Sequence, residues 1–421
     1  VSQSASTVGE MARNAFDDAP LPRGWRCARL GEVCTRISNG TSTTQNTEGK
    51  GLPVTRIETI SSGKINAQKV GWIDSDIEDL EQYILRSGDI LFSHINSVER
   101  LGNCALYDGT LPTLVHGMNL LRLEVNDSLA EPLFLLSYFR SEQARKFYDT
   151  NARRAIGQAS LNIKDLSRLE IPLPPLPEQK RIAAILREQM AAVDQARTAA
   201  ETQLKAAKDL PAAYLRAVFS SSEAHQWERK KLGDVCEIIG GNTLPESSAV
   251  DGERVYCLKV SDLESQFSDE HYISGGAFFT SLQKAGARVL NKGAVVFPKR
   301  GGAIATNKKR MLKVSAVLDP NLMGVQSIDE SKVSSNYLFW WFKSWNLASL
   351  QSGNTVPQIN QQDLAPLSIP VPSLQVQKRI ESQLAEQAAK TASVRLALQG
   401  QLNTINQLPA ALLRQAFTGK L

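Results

Sequence analysis

The chain has 421 residues, 42% of them apolar and 22% charged, with 48 Lys and Arg against 43 Asp and Glu. This is ordinary globular usage: it excludes wholesale disorder, and the length suggests two to four domains. A net charge of +5 permits a polyanionic partner without requiring one, no apolar run approaches a membrane span, and five cysteines with no C-x-x-C pair fit neither a disulfide framework nor a structural zinc site.

Residues 1–20 read as a polar tail without the apolar core of a signal peptide, so cytoplasmic residence is expected. A front module opens at Trp25, followed by Leu30-Gly31 and Val33-Cys34. A Gly, Ser, Thr and Asn-rich loop covers 39–50, and β-rich runs follow at 54–57, 89–92 and 119–125. One apolar helix is expected over 132–148. Residues 171–177 are proline-rich and should be extended and stiff. A long helix is expected over 178–219, with Pro211 kinking or breaking its last turns. The pattern then recurs. Trp227, Leu232, Gly233, Val235 and Cys236 repeat the opening, β-rich runs lie at 255–260 and 294–297, and an apolar helix at 336–350 carries Trp340, Trp341 and Trp345, read as core. A second proline-rich stretch at 369–374 precedes a second long helix at 376–417, which contains Pro409.

The repeat is the main signal. Residues 162–182 read NIKDLSRLEIPLPPLPEQKRI and residues 360–380 read NQQDLAPLSIPVPSLQVQKRI, at an offset of 198. Asp165, Leu166, Pro172, Pro174, Gln179, Lys180, Arg181 and Ile182 are among the identities. The front modules match more weakly, as in Gly88-Asp89-Ile90-Leu91-Phe92 against Gly293-Ala294-Val295-Val296-Phe297. Similar back modules point to a shared structural task, and divergent front modules to two ligands. The expected division is a tail at 1–20, front modules at 21–172 and 223–370, and helical regions at 173–222 and 371–421.

Stepping by four and three from Ile182 gives Leu186, Gln189, Val193, Ala196, Ala200, Gln203, Ala207 and Leu210. From Ile380 the steps reach Leu384, Gln387, Thr391, Val394, Leu398, Gln401, Ile405 and Leu408. This is a narrow heptad seam with Gln at equivalent places, which suits helix-to-helix pairing. Separate amphipathic helices, each on its own domain, are the alternative.

Motifs for catalysis are missing. There is no phosphate loop, no G-x-G-x-x-G after a strand and no H-E-x-x-H. Asp165 with Glu178-Gln179-Lys180 imitates the acid, acid, lysine pattern of metal-dependent nucleases. Copy two has Val376 in place of the second acid, and an acid at a helix start is explained by the helix dipole. No catalytic and no metal-binding residue is expected.

Contact candidates lie in loops. Residues 299–310, KRGGAIATNKKR, carry Lys299, Arg300, Lys308, Lys309 and Arg310 without an acid, a composition that neutralises phosphates. The equivalent loop in copy one, 93–103, offers His94, Asn96, Arg100 and Asn103, side chains able to hydrogen-bond base edges. Thr41, Thr43 and Lys50, their counterparts Asn242 and Thr243, and the pair Arg153-Arg154 complete the set. Solvated hairpin tips are the bland alternative for all of them.

Two divergent modules, each followed by IPLPPLPEQKRIAAIL or IPVPSLQVQKRIESQL and a long helix, resemble the specificity subunit of type I restriction–modification enzymes. The resemblance spans about Trp25 to Leu421. It implies an α+β protein in which two α/β-type target recognition domains each read one half of a split sequence in double-stranded DNA. The two long helices would pair as an antiparallel coiled coil with a pseudo-twofold repeat and set the gap between half-sites. Two methyltransferase subunits, using S-adenosylmethionine, would dock on the chain. Two restriction subunits would add ATP- and Mg-dependent cleavage. The chain itself would bind no cofactor and catalyse nothing. Two departures fall in contact regions: the Asn242-Thr243-Leu244-Pro245 segment, and two extra residues between positions 353 and 359. A coiled-coil protein adaptor, or a nuclease with an unrecognised site, are the competing readings.

Overall fold

A computed structural model describes residues 21–109, 111–246, 254–286, 288–350 and 356–421. The expected tail at 1–20, and part of the expected insertion before residue 359, lie outside the described residues. The chain divides into two compact units, one formed by the residues up to Ala200 with Gln401–Leu421, the other by Glu201–Gly400.

In the first unit the main sheet has four antiparallel strands in the order Cys34–Asn39, Leu121–Val125, Ile90–Phe92, Cys104–Leu106. The second unit repeats that order with Cys236–Gly240, Leu322–Ser327, Val295–Pro298 and Arg310–Leu312, and adds Tyr272–Ile273 at the edge. The period-two geometry of a strand explains why the central strands are apolar throughout. Ile90 and Phe92 face the helix-side core, while Leu91 turns to a second cluster with Ala105 and Leu120. Val295 and Phe297 are likewise separated from Val296.

The expected helix over 132–148 is two helices, Pro132–Phe139 and Glu142–Asn151. Ser141 separates them because its hydroxyl accepts from the Ala144 amide, an N-cap that starts a new helix. In copy two, Ser335–Ser344 is followed by a short 3-10 turn, Leu347–Leu350. Trp340 and Trp341 are buried and Trp345 partly so, packed in the core as expected.

Each module closes on itself. The opening strand Arg26–Arg29 pairs antiparallel with the proline-bearing exit strand Glu170–Leu173, and Arg229–Lys231 pairs with Ser368–Pro370. A two-stranded ribbon has only edges, so it tolerates these prolines. The Tyr138 hydroxyl donates to the Glu170 carbonyl at 2.7 Å, and Tyr337 to the Pro370 carbonyl at 2.7 Å. The repeated glutamine sits at the joint. Gln179 accepts from the Glu131 amide at 2.9 Å and donates to the carbonyls of Leu129 and Pro174 at 3.1 and 2.9 Å. Gln377 accepts from Ser334 at 2.9 Å and donates to Lys332 and Pro372 at 2.8 and 2.9 Å. Both are fully buried, so the fold explains the identity of this residue in the two copies.

The long helices are Leu176–Phe219 and Leu374–Phe417. Both run through their internal proline, which corrects the expected break at Pro211 and Pro409. Beyond the prolines, Leu215 in one helix and Leu413, Ala416 and Phe417 in the other are buried in module cores. That burial offsets the lost backbone bond. The seam holds at Val193, Ala200, Ala207, Thr391 and Ile405, which are buried, and is corrected by one residue at the positions between them. Ala196, Gln203, Val394, Gln401 and Leu408 are exposed, whereas Leu204 is buried and Arg197, Arg395 and Leu402 are half-buried.

Within the first unit the start of one long helix lies antiparallel to the end of the other. Val193 and Ala200 pack with Ile405, Arg197 donates to the Asn406 side chain at 3.0 Å, and Arg181 donates to the Leu421 carbonyl at 2.6 Å. Phe417 packs edge-on against Phe134 and Tyr138. The second unit repeats the arrangement, with Leu215 beside Leu384 in one core, Arg379 paired with Glu223 at 2.6 Å, and Phe219 against Tyr337.

Candidate nucleic-acid interface

The strand registers bring three segments to one end of each main sheet. In the first unit Leu121 is paired with both Asn39 and Phe92, so residues 40–43, 93–96 and the approach to Leu121 converge there. Gly40 is required: a Cβ on it would lie 2.3 Å from the His116 carbonyl oxygen. The Thr41 amide donates to that carbonyl at 2.9 Å, and the Thr41 hydroxyl bonds Thr43 at 2.7 Å. Thr41 is buried and Thr43 exposed. The short strand Ile95–Asn96 carries the hairpin Arg153–Ala155 and Gln158–Ser160. Arg153 and Arg154 are exposed on it.

The second unit uses the same backbone with other side chains. Gly241 replaces Gly40, since a Cβ there would lie 1.8 Å from the Asp319 carbonyl oxygen. The Asn242 amide donates to Leu318 at 2.9 Å, as Thr41 does to His116. Lys299 stands where His94 stands: Ile359 donates to the Lys299 carbonyl and Leu161 to the His94 carbonyl. Asn242, Thr243 and Arg300 are exposed, and Lys299 is half-buried.

Other expected contacts are less free. His94 is buried and its Nδ1 has no protein partner. Burial holds its pKa below the ordinary value, so the ring is neutral at pH 7. Asn96 is half-buried and bonds Ser93 at 3.0 Å and the Ser97 amide at 2.9 Å. Asn103 is half-buried with its backbone carbonyl bonded to the Ser93 amide. Arg100 is exposed. Lys50 is exposed and paired with Glu48 at 2.8 Å, in a turn organised by Asn46.

The basic run at 308–310 is where the expectation of free cations fails. Lys308 is paired with Glu264. Arg310 is half-buried and donates to Ser268 at 3.0 Å. Lys309 is 1% exposed, its amine bonded to the Asn307 side chain at 2.8 Å and the Trp345 carbonyl at 2.6 Å. Those bonds hold Lys309 inward just ahead of the strand Arg310–Leu312, so it is removed from the contact set.

Ile156 and Met118 are exposed apolar residues near these loops that composition does not single out. Ile156 is fully exposed at the tip of the arginine-bearing hairpin, before Gly157 at φ 73°. A β-branched residue in a two-residue turn is unusual turn chemistry, and that was the available signal. Met118 is 51% exposed beside His116. The nuclease imitation dissolves in the structure. Glu178 makes two bonds of 2.8 Å to Arg181, which hold its carboxyl below the usual range, and Asp165 is bonded by Asn162. Among the described residues no group of three His, Cys, Asp or Glu side chains could hold a metal, and no helix is long and apolar enough to cross a membrane.

The chain is similar to a putative type I restriction enzyme specificity subunit, MjaX, of Methanocaldococcus jannaschii, at 32% identity over 86% of this chain and 87% of that protein. It is also similar to the EcoKI specificity subunit of Escherichia coli, at 25% identity over 46% of this chain and 42% of that one. Among solved structures it shares its fold with a chain of a type I R-M system studied for complex assembly and conformational transition, at TM-score 0.74 and 24% identity over 96% of this chain and all of that one. The HsdS subunit of Thermoanaerobacter tengcongensis has the same fold, at TM-score 0.61 and 23% identity over 96% of this chain and 99% of that one. The type I restriction modification DNA specificity domain matches twice, at residues 22–206 and 224–394, and with these two copies filling most of its length the chain belongs to that family.

Proposed function

We propose that the chain is the DNA-recognition subunit of a type I restriction–modification complex and has no catalytic role of its own. Each front module reads one half of a split double-stranded target. The observation that carries this reading is the sheet end common to both units. There, matched backbone positions hold buried Thr41 and His94 in one copy, with Thr43 exposed beside them, and exposed Asn242 and half-buried Lys299 in the other. A shared scaffold with exchanged side chains is what two readers of different base sequences need. The hairpin at 153–160 joins Ile95–Asn96 in a three-stranded sheet and carries exposed arginines that can neutralise phosphates.

The contact set in this reading is Thr43, Arg100, Arg153, Arg154, Asn242, Thr243, Lys299 and Arg300. Two methyltransferase subunits carrying S-adenosylmethionine dock on the chain, and two restriction subunits supply ATP- and Mg-dependent cleavage, in the cytoplasm. The helical regions, about 173–222 and 371–421, act as the spacer between half-sites. Exchange of residues 22–170 for the front module of another such subunit, followed by mapping of methylated adenines, tests the reading. One half of the methylated sequence should change and the other should stay. Replacement of both Arg153 and Arg154 by Ala should flatten the slope of log K against log salt by about one unit per lost phosphate contact. A methylation map in which both halves change together would overturn the modular reading.

A further inference from the structure

Both recognition loops are fastened to the segment that closes their module, from opposite sides. In the first module the loop after Ile90–Phe92 forms the 3-10 turn Val98–Arg100. Arg145, on the closing helix Glu142–Asn151, reaches into it. Its guanidinium donates to the carbonyls of Val98, Leu101 (2.9 Å) and Glu99 (3.4 Å). Asp149, one turn on, holds the other edge of the guanidinium at 2.7 and 3.2 Å. The planar fork of arginine suits such a grip on several carbonyls.

In the second module the basic group sits on the loop instead. The 3-10 turn Gly301–Thr306 begins directly after Arg300. It is pinned at its entry by the Gly301 amide on the Pro357 carbonyl at 2.8 Å, and in its middle by buried Ile304. At its exit stands Asn307, with φ 55°, the one non-glycine in the left-handed region among the described residues. Its side-chain oxygen accepts from Lys309 at 2.8 Å and from the Leu347 amide at 2.9 Å. The Lys309 amine then donates to Trp345 at 2.6 Å. Burial first, and Lys343 second, push the Lys309 amine down to about 7. Its N–H donors, rather than a full charge, therefore do the fastening at neutral pH. Asparagine is among the few non-glycine residues that tolerate the left-handed region, and here two bonds to its side-chain oxygen hold it there.

We propose that Arg145 and Lys309 with Asn307 are positioning residues that hold the two recognition loops in register with DNA, each setting specificity at its own half-site without touching a base. The proposal rests on the DNA reading above. It predicts separable losses, because each fastening lies inside one unit.

The experiment uses the full chain in complex with its methyltransferase partner. Duplexes carry the methylated target found for the wild-type chain, or that target with one base changed in either half. The readout is the affinity ratio of matched to changed duplex, which counts only protein able to bind and is unmoved by partial unfolding. Lys309→Met and Asn307→Gly should lower the ratio at the second half-site about tenfold. They should leave the first half-site and the salt slope unchanged. Asn307→Asp keeps the acceptor and should retain the wild-type ratio. Arg145→Met should mirror the loss at the first half-site only. If Lys309→Met does not fold, Asn307→Gly carries the test, because it keeps the left-handed backbone and leaves the Lys309 amine its bond to the Trp345 carbonyl. A discriminating wild type whose ratios stay put in these variants, or fall equally at both half-sites, overturns the fastenings alone. A wild-type chain that discriminates no duplex overturns the DNA reading and the proposal with it.

Discussion

The central sheets of the two modules share strand order and register but fill one interior position in opposite ways. In the first module Arg122 lies across from Leu91 and forms an ion pair with Asp89 at 2.7 Å, with both side chains under 8% exposed. In the second, Gly324 lies across from Val296, and Leu290 packs where a side chain would be: a Cβ on Gly324 would meet its methyl at 2.1 Å. Ala294 replaces Asp89 in the repeat. Burial dominates at Asp89 and raises its carboxyl above the ordinary value despite the arginine. Strand order therefore does not depend on what fills this position. Backbone pairing and alternation of apolar residues specify it, and a leucine against a glycine does the work of two buried charges.

The sharpest way to break that comparison is to leave one charge alone. Arg122→Leu should destabilise the first unit by roughly 3–5 kcal/mol, because Asp89 then stays buried without its partner. Adding Asp89→Ala should return most of the loss. Urea denaturation of the single and double variants decides it; a double variant no better than the single one means the two charges do not act as a pair.

Where the modules agree, equal effects are expected. Gln179→Ala and Gln377→Ala each orphan one amide and two carbonyls at the joint between module and long helix. Each should cost about 2–4 kcal/mol in the same assay. A loss confined to one copy would show that the matching geometry hides unequal roles.

Acid should then reach the first module through a position that cannot titrate in the second. His116 is buried, its pKa lowered to about 4, chiefly by burial. The unfolded chain takes the proton first, so the stabilising contribution is complete above about pH 6.5 and is lost as pH falls toward 4. By pH 5 the loss should be roughly 2 kcal/mol relative to pH 7. Leu318 holds the matching place in the second module, through the same backbone bond, and cannot titrate. His116→Leu should therefore remove this part of the pH dependence of the first unit, leaving the smaller part from His94, whose pKa burial also lowers. Melting curves from pH 7 to 5 that overlay for variant and wild type would refute this.

Much of this architecture was legible in the chain. The repeat located both joints, the central strands and the long helices, because identical residues at a fixed offset reflect a common packing task. Side-chain direction was harder to read. Lys308, Lys309 and Arg310 look equivalent in a basic run, yet Asn307 and the Trp345 carbonyl, distant or unremarkable in the sequence, hold the middle one inside. Every second seam position reads correctly from the spacing, through Leu186, Val193, Ala200 and Ala207, whereas the positions between them fall one residue late, at Arg197 and Leu204 rather than Ala196 and Gln203. Arg197 was invisible as a seam residue because a charged type rarely faces a partner helix, and here Asn406 receives it. The prolines misled for a related reason: propensity describes an isolated helix, and tertiary burial outweighed it.

The sharing of helix ends has a consequence for synthesis. The first unit takes its last packing residue, Phe417, from more than two hundred residues beyond its own module. The second draws its counterpart, Phe219, from just upstream. A ribosome therefore releases the earlier-made domain with an aromatic socket between Phe134 and Tyr138 still open, and finishes the later one first. The order of translation and the order of completion are reversed, and the nascent first domain must wait, with part of its core uncovered, for the final turns of the chain.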